Sequence, residues 1–301
     1  MDTNILLESG TNELEILEFM VGGNYYGINV AKIREIITCQ ELTPIPNSHP
    51  NVEGAFSTRG ETITVVNLAR ALGMKEQMDE PTQDMLLITN FNMVNTGFHV
   101  HGVVGIHRVN WGQIIQPDSM ICNSSKSMIT GIVNLDGKLV LILDFEAIVA
   151  EIAPDIGMTM HGAGNLENRE TNHAPILFAE DSRLLSMLIY DTLTKAGYVN
   201  VIPLNNGLEM WNLLQQYKKE GTLRQHVQCV VTDIEMPQMD GHRLVKLMKE
   251  DPELKEIPII IFSSLINDDM RRKGDALGAD AQLSKNQMGE FVDTVDRFIR
   301  K

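Results

Sequence analysis

Cys229-Val-Val-Thr-Asp-Ile-Glu-Met-Pro-Gln-Met-Asp-Gly241 is a short apolar run, rich in β-branched residues, that ends in an acid, Asp233. The run reads as a buried strand, with Pro237 and Gly241 marking the loop by which the chain leaves it. In open α/β sheets the carboxyl ends of the strands form the rim on which ligands sit, so Asp233 is placed there. On this stretch alone, an exposed acid that merely ends a strand explains it equally well.

The surrounding chain decides between the two. From Ala174 onward, apolar strands alternate with amphipathic helices: Pro175–Ala179, then Ser182–Ala196; Val199–Pro203, then Leu208–Lys219; Cys229–Thr232, then His242–Glu250. Ile257–Phe262, Asp268–Leu277, Ala281–Leu283 and Met288–Ile299 complete five βα units, which predict a doubly wound parallel sheet of strand order 2-1-3-4-5. At the strand ends stand Glu180, Asp181, Asp233, Ser263 and Lys285. Three carboxylates brought close repel one another unless a cation lies among them, and an oxygen-only donor set suits Mg²⁺. A hydroxyl at Ser263 and an ammonium at Lys285 complete a set matched to a phosphoryl group. Asp233 is the nucleophile, with Lys285 and the metal taking up charge on the equatorial oxygens.

The first half has a different texture. Leu14–Val21 and Tyr25–Val30 flank Gly22-Gly23-Asn24 as a hairpin, and Thr62–Leu68, Met85–Thr89, Phe98–Val104 and Leu139–Leu143 read as further strands. Brief helical pieces fall at Leu68–Leu72 and Phe145–Ile152. Gly54 through Gly60 to Asn67 lies over Gly131 through Gly137 to Asp144 at a constant offset of 77 residues, which fits two similar small barrels. An Arg beside a Gly in such a turn, Arg59-Gly60, presents a planar donor fork suited to a partner's carboxylate. Glu35, among Ile33, Ile36 and Ile37, reads as the polar rim of an interface or as the exposed side of a strand or turn, with the interface favoured. His99, His101 and His107 lack a neighbouring Cys or carboxylate in sequence to complete a metal site, and read as exposed strand histidines.

Composition sets bounds. The 301 residues suit two domains. The net charge of −15 is concentrated in residues 1–160, where 8 Lys/Arg face 19 Asp/Glu, against 17 and 21 in residues 161–301. That distribution argues against nucleic acid as a partner, and Arg271-Arg272-Lys273 reads as a solvated helix face. Cys39, Cys122 and Cys229 suit reduced thiols. The chain lacks a signal-peptide pattern and an apolar run long enough to enter a membrane, so a cytoplasmic protein is expected. Residues 1–13 read as a lead-in and 153–173 as a linker between domains at 14–152 and 174–301.

Phe19-Met-Val-Gly-Gly-Asn-Tyr-Tyr-Gly-Ile-Asn-Val, Ile33-Arg-Glu-Ile-Ile37, Leu42-Thr-Pro-Ile-Pro46 and the span from Gly54 through Arg59-Gly60 to Leu68 resemble the CheW coupling-protein family over about residues 14–150. The resemblance implies two SH3-like five-stranded barrels, no catalysis, and a bridge between chemoreceptor cytoplasmic tips and the chemotaxis histidine kinase. Where the family pattern has Asn-Leu-Arg-Gly, this chain has Ser57-Thr58-Arg59-Gly60. Glu180-Asp181, Asp233 with Met236-Pro237 and Met239-Asp240-Gly241, Ser263-Ser264 and Lys285 resemble the response-regulator receiver family over residues 174–301. That resemblance implies a phosphoacceptor at Asp233, fed by a phosphohistidine. It also implies Mg²⁺ held by Glu180, Asp181, Asp233 and the carbonyl of Glu235, with Ser263 and Lys285 reading the phosphorylated state. Gln282 stands where the family often has an aromatic switch residue, and Asn286 where it often has a cis proline.

Both halves together resemble the CheV-type coupling proteins, which places the chain at chemoreceptor arrays as a phosphorylation-modulated adaptor or a phosphate sink. Two alternatives differ in class. A haloacid-dehalogenase-type phosphatase also uses an Asp nucleophile and Mg²⁺, but places its acid-x-acid element after its first strand rather than at Asp233-Ile-Glu235. A DNA-binding regulator would need an output domain, for which no room is expected after the last receiver helix.

Overall fold

The computed structural model describes residues 13–74, 84–91, 94–115, 117, 128–153, 169–264 and 268–299. Residues 1–12 of the lead-in, residues 154–168 of the linker and Cys122 lie outside the described residues. The chain forms two compact units, one containing Glu13–Val109 and the other containing residues 169–299.

The described residues of the first unit include ten strands and two short α-helices: β1 (Glu13–Val21), β2 (Asn24–Asn29), β3 (Ile33–Thr38), β4 (Val52–Thr58), β5 (Glu61–Asn67), α1 (Leu68–Ala71), β6 (Met85–Phe91), β7 (Val94–Val100), β8 (Gly102–Asn110), β9 (Ile129–Leu135), β10 (Lys138–Leu143) and α2 (Phe145–Ile152). They make two five-stranded sheets, ordered β3-β6-β7-β5-β4 and β8-β1-β2-β10-β9. The 77-residue repeat is structural. The β4–β5 and β9–β10 hairpins turn on Arg59-Gly60 (φ 49° and 83°) and Asp136-Gly137 (φ 50° and 83°), the left-handed pairs that two-residue hairpins favour. Asn67 and Asp144, also 77 apart, cap the helices that follow, their side chains accepting from Arg70 N at 2.8 Å and Ala147 N at 2.9 Å.

The second sheet repeats the first with its order permuted. In each, the last hairpin strand runs parallel to a neighbour, β5 to β7 and β10 to β2, so the N-terminal hairpin β1–β2 takes the places that β6–β7 take in the first. Leu17, Phe19 and Ile28 of one sheet share a core with Val66, Leu87 and Phe98 of the other, and Phe98 meets Phe145 edge-to-face at 4.6 Å. The expected single strand Phe98–Val104 is instead two. The chain breaks at His101, whose N–H donates to Met20 O at 2.8 Å, and β7 and β8 enter different sheets.

The second unit alternates strand and helix: β11 (Ile176–Ala179), α3 (Arg183–Lys195), β12 (Val201–Leu204), α4 (Gly207–Glu220), the short α5 (Leu223–His226), β13 (Cys229–Thr232), α6 (Gly241–Glu250), β14 (Ile259–Ser263), α7 (Asp268–Leu277), β15 (Ala281–Ser284) and α8 (Met288–Ile299). The sheet is parallel in the order β12-β11-β13-β14-β15, the expected 2-1-3-4-5. Its central strands β11, β13 and β14 are buried throughout and mostly apolar because both faces are covered. Phe178, Val231, Ile260 and Phe262 pack on Ile189 and Leu193 of α3 and on Phe291 and Val295 of α8. Leu177, Val230 and Ile261 point the other way, onto Met210 of α4 and Leu244 and Met248 of α6. Of the expected solvated run on α7, Arg271 and Arg272 are exposed and Lys273 is half-buried.

Candidate functional site

The strands β11, β13, β14 and β15 bring the polar groups singled out in the sequence to the carboxyl rim of this sheet. β11 ends at Ala179, so Glu180 and Asp181 come next; β13 ends at Thr232, so Asp233 comes next. One further ladder step pins both, with Glu180 N donating to Leu204 O at 3.0 Å and Asp233 N to Ala179 O at 3.0 Å. One carboxylate oxygen from each of Glu180, Asp181 and Asp233 lies within 4.8 Å of the others, the only such cluster of potential metal ligands among the described residues.

Lys285 closes the rim from the end of β15. It is 1% exposed, with Nζ 2.8 Å from Glu180 Oε2 and 2.9 Å from Asp233 Oδ2. A buried ammonium is tolerated only with such partners. Asp233 Oδ1 accepts from Ile234 N at 2.6 Å, and Glu180 Oε1 from Ser182 N at 3.2 Å. Ser263 ends β14, is buried, and pairs across the ladder with Ser284, the residue before Lys285. Glu235 is half-buried in the loop after β13, and its carboxylate is outside the three-acid cluster. Three carboxylates facing one ammonium leave a deficit of positive charge, and hard oxygen donors at this spacing fit Mg²⁺. The Asp233-x-Glu235 element follows the third strand of this unit in chain order.

Gln282 is held to α7. Its Nε2 donates to Arg271 O at 2.8 Å and to Asp275 Oδ1 at 2.7 Å, and a Cβ on Gly274 would stand 2.3 Å from its Oε1. An amide anchored at both protons thus stands at the position where the receiver resemblance leads one to expect an aromatic residue. No peptide among the described residues is cis, so Lys285–Asn286 is trans.

Beside the rim, His242 in the first turn of α6 is buried, and burial, followed by the charge of Lys273, pushes its pKa down to about 4, a bond to the Met270 backbone opposing the shift. An unfolded histidine titrates near 6.5, so the neutral ring's contribution is complete above about pH 6.5 and is lost as pH falls through about 4, some 3 kcal/mol in all. His242→Gln should remove this component. The test compares urea unfolding of the second unit at pH 7 and pH 4.5. Equal acid losses in variant and wild type would contradict it.

In the first unit, Arg59 at the β4–β5 turn is 75% exposed, and its Nη2 lies 3.8 Å from Glu35 Oε2 on β3. The two expected interface residues thus meet each other in a loose, solvated pair, worth at most about 1 kcal/mol. The histidines are not the exposed set expected. Carboxylates distant in sequence reach two of them: Glu53 lies 2.9 Å from His99 Nδ1, Asp84 3.3 Å from His99 Nε2, and the buried Glu18 2.7 Å from His107 Nε2, while His101 Nδ1 accepts from Gly22 N at 2.9 Å. The bond to Glu53 raises the pKa of His99 against the effect of burial.

Among the described residues no helix is long and apolar enough to cross a membrane. Residues 15–153 match the CheW-like domain family and residues 176–296 the response regulator receiver domain family. The chain is similar to "Chemotaxis protein CheV3" of Helicobacter pylori, 29% identical over 306 residues with 96% of each chain covered. It is also similar to "Chemotaxis protein CheW" of Thermotoga maritima, 32% identical over 152 residues, covering 50% of this chain and 98% of that one. Among solved structures it is similar to the scaffolding protein TtCheW from Thermoanaerobacter tengcongensis, 20% identical with a TM-score of 0.41 over 45% of this chain and 87% of that one. With a CheW-like double barrel followed by a receiver sheet, the chain belongs to the CheV-type chemotaxis coupling proteins.

Proposed function

We propose that Asp233 accepts a phosphoryl group from a phosphohistidine of the chemotaxis histidine kinase, and that this modification biases how the CheW-like domain couples chemoreceptor tips to that kinase. The observation that carries the reading is the three-acid cluster with buried Lys285 bonded to two of its members. In the transfer the P–N bond breaks as a P–O bond forms to an Asp233 carboxylate oxygen, and the imidazole leaves with a proton. Lys285, already 2.9 Å from Asp233 Oδ2, is placed to neutralise charge on the arriving group, and Ser263 supplies a hydroxyl from the neighbouring strand. Glu180, Asp181 and Asp233, with the carbonyl of Glu235, would hold Mg²⁺, which supplies charge neutralisation for the incoming phosphoryl oxygens.

In this reading residues 14–152 are the coupling domain and 174–301 the receiver, joined by 153–173. The hairpin tip Arg59-Gly60 with Glu35 is the coupling domain's partner-facing rim. The protein works in the cytoplasm at receptor arrays. A modification shifts coupling only through contacts that differ between the two states. Retention of the protein on receptor–kinase assemblies, with and without a phosphoryl donor and Mg²⁺, tests this directly. A change of severalfold is expected. Unchanged retention would reduce the receiver to a drain on the kinase's phosphate.

A further inference from the structure

The five residues ahead of Ala174 lie along the receiver. Asn172 forms a parallel bridge with Tyr198, its N–H donating to Gly197 O at 2.8 Å and its carbonyl accepting from Val199 N at 3.1 Å. Asn200 Nδ2 donates to His173 O at 2.7 Å. Gly197 (φ 94°) is pressed against this segment so closely that a Cβ there would stand 2.7 Å from Glu170 O. Arg169, farther back, forms an ion pair with Asp296 of α8, and the other oxygen of Asp296 accepts from Tyr198 Oη at 2.5 Å. Tyr198 is wholly buried, and the charged side chains of Arg169 and Asp296 are largely so. Truncating either member of such a pair strands the other's charge. Arg169 and Asn172 precede the span that matches the receiver family, so that match does not cover the arrangement.

The same helix begins at the site. Lys285 opens the single turn Lys285–Gln287, which runs directly into α8. Asp296 follows Lys285 by eleven residues, roughly 16 Å at the helical rise. α8 is fastened along its length by Phe291, Val292 and Val295 in the core, and Phe291 stacks on Phe262 at 4.4 Å. A phosphoryl group on Asp233 competes for the ammonium that Lys285 now shares between Glu180 and Asp233. A displacement at Lys285 would meet α8 at its first turn, and the far end of that helix is held at Asp296.

We propose that Arg169, Tyr198 and Asp296 form a clasp through which α8 carries the state of the Asp233–Lys285 site to residues 169–173, the stretch by which the chain enters the receiver. The relay rests on the phosphoryl reading above; the clasp itself does not. The helix α8 is packed in the core with one end at the site and the other bonded to the incoming chain, so free and phosphoryl-loaded Asp233 can couple to residues 169–173 only if each favours a different setting of the clasp.

Hydrogen exchange of the full chain tests it, read on peptides covering 169–173, with ¹⁹F NMR of bound beryllofluoride in Mg²⁺ reporting whether the Asp233 site is loaded. Asp296→Asn and Tyr198→Phe should each raise basal exchange at 169–173 by about tenfold. Beryllofluoride should alter exchange there severalfold in wild type and leave it unaltered in both variants, although all three load. Tyr198→Phe keeps the buried ring and so serves where Asp296→Asn fails to fold. Loading without change at 169–173 in wild type, or with the same change in the variants, overturns the relay and leaves the phosphoryl reading standing. Basal exchange equal to wild type in the variants overturns the clasp. No loading of wild type overturns the phosphoryl reading and the relay with it.

Discussion

Asp233→Ala should take up no label from a phosphorylated chemotaxis histidine kinase in Mg²⁺, under conditions where wild type does. The loss should be all or none, at least about a thousandfold, because in the proposed transfer Asp233 itself forms the covalent bond and has no substitute. The geometry favours Asp233 over its two acidic neighbours. Glu180 is buried beneath the rim, with one oxygen on Lys285 and the other on Ser182 N. Asp181 follows it at the end of the same strand. Asp233 ends the central strand β13, between the acids after β11 and the Ser263 and Lys285 groups at the ends of β14 and β15, so both sides of the rim reach it. The variant should remain folded, since Lys285 keeps Glu180 at 2.8 Å and one of three mutually repelling acids is gone. Asp233→Asn, which preserves the shape of the side chain, should fail in the same way. Label on either variant would move the acceptor elsewhere and remove the basis of the proposed function.

The receiver half was legible because its chemistry sits at the ends of short apolar runs. Once the alternation fixes a 2-1-3-4-5 sheet, residues as far apart as Glu180 and Lys285 must share one rim. Spacing could not show that Lys285 is shared between two carboxylates, nor that Gln282 is tied to Arg271 O and Asp275 on α7. Both depend on how a helix lies over a strand, which a one-dimensional pattern does not record. In the coupling half the repeated hairpins could be read from Gly60, Gly137 and the caps Asn67 and Asp144. The crossing of the chain between sheets at His101 could not, since apolar residues continue on both sides of it. The acids on His99 and His107 were hidden for a related reason: Glu53 and Glu18 lie 46 and 89 residues away and arrive only when non-neighbouring strands pair.

Gly241→Ala should be among the most damaging single methyl groups this chain could receive, removing about 3–5 kcal/mol from the receiver unit. Gly241 opens α6 after the cap Asp240, whose Oδ1 accepts from Arg243 N at 2.7 Å, and its own N–H donates to Ile234 O at 2.8 Å. These bonds draw the helix start onto the backbone that has just left β13. A Cβ on Gly241 would stand 1.9 Å from Asp233 O, 2.9 Å from the carbon of that carbonyl and 3.1 Å from Ile234 Cα. All three atoms are backbone, so no rotamer relieves the clash, and φ at this position is not positive, so the glycine is required for room rather than for handedness. Gly221 provides the contrast: it closes α4 at φ 68° with nothing within 4 Å of its would-be Cβ, and Gly221→Ala should cost only about 1 kcal/mol of backbone strain. Denaturant unfolding of the full chain, followed separately in each unit by hydrogen exchange, distinguishes them. The receiver transition should fall far more for Gly241→Ala than for Gly221→Ala, with the CheW-like transition unmoved in both. The two nearest of these atoms belong to the Asp233 backbone, so any Gly241→Ala protein that remains folded should also lose phosphoryl uptake. Equal and small effects at the two glycines would mean that the loop does not hold the acceptor against the helix start.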